Sequence, residues 1–163
     1  MKEIKLFFCL LLLPLSSIAP EFSREHKVET WFDQFQNRRE LFLSQDFSYK
    51  TLREYLWWRN PRNADIIRLQ AILETGFFTS EVFLENNNLF GMKLPRVRRT
   101  TAIGENRGHA VYETWMDSVD DYILWYNYMT RNRVYTNYFD FLRDVGYAED
   151  PYYLRKLLIL KET

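Results

Sequence analysis

Apolar residues recur at helical spacing along most of the chain, and the breaks between the periodic stretches carry cap residues. Residues 25–45 form a charged amphipathic stretch bearing Trp31, Phe32, Phe35, Leu41 and Phe42. A second helix is expected over 49–58. Asn60-Pro61 offers a cap residue with proline at the first helical position. The helix it opens should run to Thr75 and stop at Gly76 as a left-handed cap. Thr79 or Ser80 then caps a short helix ending near Glu85. The pattern changes over 98–104 and 109–115, which are rich in Thr, Val and Tyr and flank the turn residues Glu105-Asn106-Arg107-Gly108. A small β-hairpin is expected there. Helical periodicity returns over 117–129, with Val119, Tyr122, Ile123 and Tyr126 on one face, and again over 138–145. A last helix opens at Asp150-Pro151 and runs to Ile159. The chain reads as mainly α, an α+β arrangement of about six to seven helices around a cleft with one small hairpin.

Length and composition narrow this picture. The 163 residues are 47% hydrophobic, enough for one compact domain with its own core. The 22 Lys and Arg balance the 22 Asp and Glu, so no global field draws in nucleic acid, and no nucleic-acid motif accompanies the local basic run Lys93, Arg96, Arg98, Arg99 and Arg107. That run reads as a solvated strand face or a surface for an anionic wall. Aromatics make up 18%, more than a core alone asks for, which leaves rings to line a groove. Lys2 and Lys5, an apolar run over 4–13 and Ser17-Ile18-Ala19 read as an export signal over 1–19, with Pro20 blurring the cut site. A single catalytic domain is then expected over 20–163, touching membrane only through that signal if it is uncleaved. The lone Cys9 lies in the signal behind Phe8, which is too large for a lipid-attachment site, so the mature chain would carry no thiol. The location expected is exported: periplasm, cell envelope or outside.

Candidate chemistry gathers at three places. In Leu69-Gln70-Ala71-Ile72-Leu73-Glu74-Thr75-Gly76, Gln70 and Glu74 share a helix face, and Glu74 stands in the last turn. The negative helix end and apolar neighbours both disfavour its carboxylate, and a carboxylic acid kept neutral can protonate a glycosidic oxygen. In Asn86-Asn87-Asn88-Leu89-Phe90-Gly91, Asn tolerates left-handed backbone, Phe90 anchors the turn and amides are available to a sugar. The hairpin carries Glu105 at its turn and Glu113 on its return strand, either of which could oppose Glu74 across a scissile bond. An acetamido sugar can also supply its own nucleophile. His26 and His109 are far apart, and neither metal-ligand spacing nor a phosphate loop is found, so no metal or other cofactor is expected.

These segments, in this order, resemble the bacterial glucosaminidase family of peptidoglycan hydrolases. Leu73-Glu74-Thr75-Gly76 is similar to its Leu-Glu-Ser/Thr-Gly segment, and Asn88-Leu89-Phe90-Gly91-Met92-Lys93 to its Asn-Leu-Phe-Gly-apolar-Lys segment. Tyr112 and Trp115 resemble an aromatic pair before the next helix, and Gly146-Tyr147-Ala148-Glu149-Asp150-Pro151-Tyr152 resembles its late Tyr-Ala-Thr-Asp-Pro-x-Tyr segment. The resemblance covers about 49–160. Phe77-Phe78 stand where many members have Trp-Gly. The resemblance implies a lysozyme-like fold and an endo-β-N-acetylglucosaminidase that cuts β-1,4 bonds in the glycan strands of peptidoglycan. It implies Glu74 as catalytic acid, Glu105 as the second acid with Glu113 behind it, and Tyr147 in the substrate site. Gln70, Asn88 and Phe90 join it as cleft-holding or substrate-binding residues. Three alternatives stay open: a catalytically silent wall-binding scaffold on the same fold, a lytic transglycosylase, or an N-acetylmuramoyl amidase. The sequence names no oligomeric state.

Overall fold

The computed structural model describes residues 19–60 and 62–162. The expected signal lies outside them, save Ala19. The chain divides into two compact units, Met1–Ser44 and Gln45–Thr163. The first contributes α1 (Ala19–Leu43), longer at its start than the stretch expected over 25–45. Among the described residues no helix is long and apolar enough to cross a membrane.

The second unit holds α2 (Tyr49–Arg59), α3 (Ala64–Glu74), α4 (Glu81–Asn86), β1 (Gly104–Asn106), β2 (His109–Val111), α5 (Trp115–Thr130), α6 (Tyr138–Asp144) and α7 (Tyr153–Glu162). The whole is mainly helical with one antiparallel pair of strands, as the periodicity indicates. Side-chain caps set many of the boundaries. Ser48 and Thr51 close a capping box at α2, Thr114 and Asp117 close another at α5, and Ser80 and Asn137 accept from the first turns of α4 and α6. Four boundaries differ from the sequence reading. Pro61 lies outside the described residues, and α3 starts after Asn63. The strand expected over 109–115 ends at Val111, because the Thr114 box begins a helix there. Residues 98–103 are not strand. They run beside α5, tied by the Thr101 hydroxyl donating to the Asp117 carbonyl and by the Arg98 guanidinium reaching Asp121. Lastly, α7 begins at Tyr153, because Asp150 Oδ1 accepts from the Tyr152 N–H and holds Pro151 and Tyr152 in a turn.

The core of this unit is built around α3, which packs on α2 and on α7. Leu52, Tyr55 and Leu56 of α2, Ile67 and Ala71 of α3, Val119 and Tyr122 of α5, Phe141 of α6 and Leu157 of α7 are fully buried. Each large apolar side chain among them contributes about 1.5–3 kcal/mol through burial. Asp120 ties α2 to α5 by accepting from the Tyr55 hydroxyl and the Arg59 Nε–H. Because α7 lies along α3, its first residue meets the last residue of α3. That meeting places Tyr153 beside Glu74.

Candidate active site

Glu74 is the final residue of α3. The helix closes in a Schellman arrangement: the Phe77 N–H reaches the Ile72 carbonyl and the Gly76 N–H the Leu73 carbonyl. Gly76 has φ 56°, the left-handed cap expected of it, and Phe77 (φ 60°) and Phe78 (φ 65°) continue left-handed. Bulky residues rarely adopt that conformation. The Thr75 hydroxyl, which accepts from the Phe78 N–H, and the ring of Phe78 against Phe47 and Phe83 hold it. The helix therefore stops abruptly, with Glu74 at its mouth.

That mouth opens on a cavity of about 730 Å³, in the range of small-ligand sites. Glu74, Phe90 and Gly91 line one side, Lys93 and Arg98 continue it, and Tyr147, Glu149 and Tyr153 line another. Phe90 is buried on the Tyr122 ring at 4.3 Å, and Tyr147 packs against Trp125 and Tyr153. Gly91 is left-handed (φ +61°), and a Cβ placed on it would stand 3.8 Å from Glu74 Oε2. The bare glycine keeps room in front of that oxygen.

The other oxygen is occupied. Glu74 Oε1 accepts from the Tyr153 hydroxyl at 2.7 Å. Behind it, Gln70 Nε2 donates to the Tyr153 oxygen at 3.4 Å, and Gln70 Oε1 faces the hydroxyls of Tyr122 and Tyr138, each at 2.9 Å. Burial raises the Glu74 carboxyl above the usual carboxylate range, and the Tyr153 hydrogen bond pulls it back only in part. Burial also raises the hydroxyls of Tyr122, Tyr138, Tyr147 and Tyr153, so all four are neutral donors at ordinary pH.

The structure brings Glu74, Phe90 and Tyr147 to one cavity and puts the other expected site residues elsewhere. Gln70 is fully buried beneath Tyr153, away from the cavity surface. Asn88 is buried in the 87–93 loop. Its Oδ1 accepts from the N–H groups of Phe90 and Met92, and its Nδ2 donates to the carbonyls of Met92 and Ala110. Asn87 is left-handed, as Asn allows, and its amide donates to the carbonyls of Tyr112 and Glu113. Glu105 sits on β1 opposite Ala110 and is exposed, and Glu113 is exposed just after β2. Neither lines the cavity. The basic run is broken up: Arg98 pairs with Asp121, and Arg107 with Glu81 and Glu85. Among the described residues no group of three or more His, Cys, Asp and Glu is gathered for a metal ion.

Tyr153, Tyr122 and Glu149 are not marked as site residues by the sequence patterns above. Tyr153 had a signal available: the closing Tyr of the Tyr-Ala-Thr-Asp-Pro-x-Tyr pattern falls on it, one residue past Tyr152. Helical periodicity alone places Tyr122 on an apolar face and gives no sign of its hydroxyl's partner.

Glu74 thus stands at a helix end beside an aromatic-walled cavity, and the family comparison covers the segments that build it. The family described as mannosyl-glycoprotein endo-beta-N-acetylglucosaminidase matches residues 51–163. The chain belongs to the glucosaminidase family. The match takes in Glu74, the Asn-rich loop, the hairpin and the Tyr147–Tyr153 wall. The chain is also similar to Protein bax of Escherichia coli (strain K12), 36% identical over 58 residues, which are 36% of this chain and 21% of that protein. The chain thus spans about a fifth of the length of this curated relative. No solved structure matches. Glucosaminidase membership points to a glycosidase acting on a glycan such as peptidoglycan.

Proposed function

We propose that this glucosaminidase is exported and cuts the β-1,4 bond after N-acetylglucosamine in peptidoglycan strands, with Glu74 as the general acid. The observation that carries this reading is the environment of Glu74: burial favours its proton, Tyr153 holds Oε1, and Oε2 stands next to Gly91 in the lining of the cavity. The Glu74 proton passes to the bridging oxygen as the bond from C1 to that oxygen breaks and its electron pair goes to the oxygen. Positive charge then develops at C1 and the ring oxygen. The carbonyl oxygen of the sugar's own acetamido group bonds to C1, a route known for glycosidases that work with a single essential carboxyl group. Water then attacks C1, the carbonyl–C1 bond breaks, and the water's proton returns to the Glu74 carboxylate. Phe90 and Tyr147 wall the sugar site, and Asn88 shapes it through the backbone of Phe90 and Met92.

The self-assisted route is favoured because Glu105 stands outside the cavity lining and, of the other carboxylates that line it, Asp150 is engaged with Lys156 and Glu149 is exposed to solvent, without the burial that raises Glu74. The test is digestion of purified sacculi with the new reducing ends identified. N-acetylglucosamine ends are expected, whereas reducing muramic or anhydro-muramic ends would overturn the cleavage position. A Glu105→Gln variant should keep activity within about threefold, consistent with an exposed group away from the reacting atoms. A loss as deep as that of Glu74→Gln would instead make the hairpin acid the second catalytic group. Equal turnover by wild type and Glu74→Gln would remove the acid assignment altogether.

A further inference from the structure

The proton count among the buried tyrosines fixes a direction. The hydroxyls of Tyr122 and Tyr138 face each other and both face Gln70 Oε1. Two protons serve three contacts. If both hydroxyls donate to Gln70, its oxygen accepts twice. If one donates to the other, the second still donates to Gln70. With the amide nitrogen turned toward the pair instead, one of the two hydroxyl protons would have no acceptor among the three groups, so the amide presents its oxygen here and its nitrogen to the other neighbour, the Tyr153 hydroxyl oxygen. An N–H aimed at the Tyr153 oxygen leaves its one proton a single acceptor, Glu74 Oε1.

We infer that Gln70 and Tyr153 are positioning residues that commit Glu74 Oε1 as an acceptor, so that the transferable proton of the neutral acid resides on Oε2, the oxygen facing Gly91. The inference rests on the acid role of Glu74 and deepens it. A carboxylic acid in open solvent exchanges its proton between both oxygens and rotates freely. Here one oxygen is barred from holding the proton, and the acid is preset toward the cavity before a glycan arrives. Of the two roles expected of Gln70, holding the cleft or binding substrate, its burial beneath Tyr153 fits the first.

The groups around Glu74 are of two kinds. From α5, α7 and the 146–152 segment come the raised, neutral phenols Tyr122, Tyr153 and Tyr147. Among the charged groups of the same cavity, Lys156 pairs with Asp150 and Arg98 with Asp121, while Lys93 and Glu149 are exposed. Tyr153 is the side-chain donor to Glu74. Its loss should therefore be read directly in Glu74.

The experiment is a carbon-13 titration of the Glu74 carboxyl, assigned by its disappearance in Glu74→Gln, alongside the pH dependence of sacculus digestion. In Tyr153→Phe the Glu74 midpoint should move to higher pH, since the hydrogen bond to the charged form is gone. The alkaline limb of kcat/KM should follow it, and the maximal rate should fall about tenfold, the scale of one lost orienting hydrogen bond. Replacing Tyr153 with 3,5-difluorotyrosine keeps the shape and makes a stronger donor, so the midpoint should move the other way. This second variant covers the case in which the phenylalanine variant does not fold. Gln70→Met should shift the midpoint upward by less than Tyr153→Phe. A Glu74 midpoint unmoved by all three substitutions would overturn the inference. Inactive wild type would overturn the acid reading alone, because the titration needs no turnover.

Discussion

Two carboxylates of the second unit are each desolvated and each accept from a tyrosine hydroxyl, yet they end with opposite chemistry. Asp121 is fully buried on α5 and accepts from the Tyr112 hydroxyl at 2.8 Å, much as Glu74 accepts from Tyr153. The difference is a cation. Arg98 spans Asp121 with two N–H donors at 2.7 and 2.8 Å. Burial pushes the Asp121 carboxyl up, but the hydrogen bonds from Arg98, Thr100 and Tyr112 and the Arg98 charge outweigh it and hold the group below the usual range. Glu74 has a phenol and no bonded cation, so burial wins and its carboxyl rises. One tyrosine hydroxyl orients a buried carboxylate without ionising it. A guanidinium in addition turns the same group into a permanent anion that ties the 98–103 arm to α5. A carboxyl biased toward its protonated form and a carboxyl held as an anion thus differ chiefly by one guanidinium.

Breaking each node should therefore have separate consequences. The largest expected effect is on turnover. Glu74→Gln should lower sacculus digestion by at least ~100-fold, the range of general acid contributions, while the thermal midpoint at neutral pH stays level or rises. Next comes Arg98→Leu, which strands the Asp121 charge in the core and should destabilise the fold by ~3–5 kcal/mol, read by denaturant unfolding. If Arg98→Leu and Glu74→Gln proved equally stable, the contrast between the two nodes would be void. Gly91→Ala is smaller. A left-handed alanine costs about 1–2 kcal/mol, and its methyl enters the space before Oε2, so kcat/KM should drop by more than the stability change explains.

The smallest effect is in the pH dependence of stability, and it has opposite signs at the two nodes. Folded Glu74 holds its proton more tightly than the unfolded chain does. Stability from this group is therefore greatest below the ordinary glutamate pKa and falls as pH rises toward the raised folded value. Glu74→Gln should be more stable than wild type at neutral pH, with the advantage fading in acid. Asp121 behaves in reverse. Its contribution is present above the ordinary aspartate pKa and is lost as pH falls through the depressed folded value. Chemical unfolding of wild type and Glu74→Gln between neutral and acidic pH measures the first sign directly. A Glu74→Gln advantage that grows in acid would contradict the burial of that carboxyl.

Local chemistry carried the legible part of this molecule. Helix periodicity, Ser80, Gly76 and the Asn-rich run are short-range signals, and the elements they mark are found where they were expected. Glu74 was legible because a helix end is a local feature. What lay beyond reading were partners chosen by packing. Gln70 is four residues from Glu74 and shares its helix face, yet α7 covers Gln70 fully and leaves Glu74 half-buried at the cavity. Arg98 read as one of a solvated basic run, because its acceptor Asp121 is 23 positions away on a helix whose polar residues gave no sign of which would be buried. The expected hairpin is longer than the real one for a similar reason: Thr100, Thr101 and Ile103 fit a strand by composition, but Arg98 and Thr101 anchored onto α5 override that preference.

The three asparagines at 86–88 have a mechanical consequence. Asn86 exchanges amide hydrogen bonds with Asn106, Asn87 reaches the carbonyls of Tyr112 and Glu113, and Asn88 joins Met92 to Ala110. Backbone links from Ala110 to Met92 and from Tyr112 to Asn86 run between the same partners. Ribbon and loop are thus stitched along both margins into one plate, and Gly91 belongs to it. A displacement of the ribbon is therefore carried through the plate to Gly91, the residue whose position sets the space beside Glu74 Oε2.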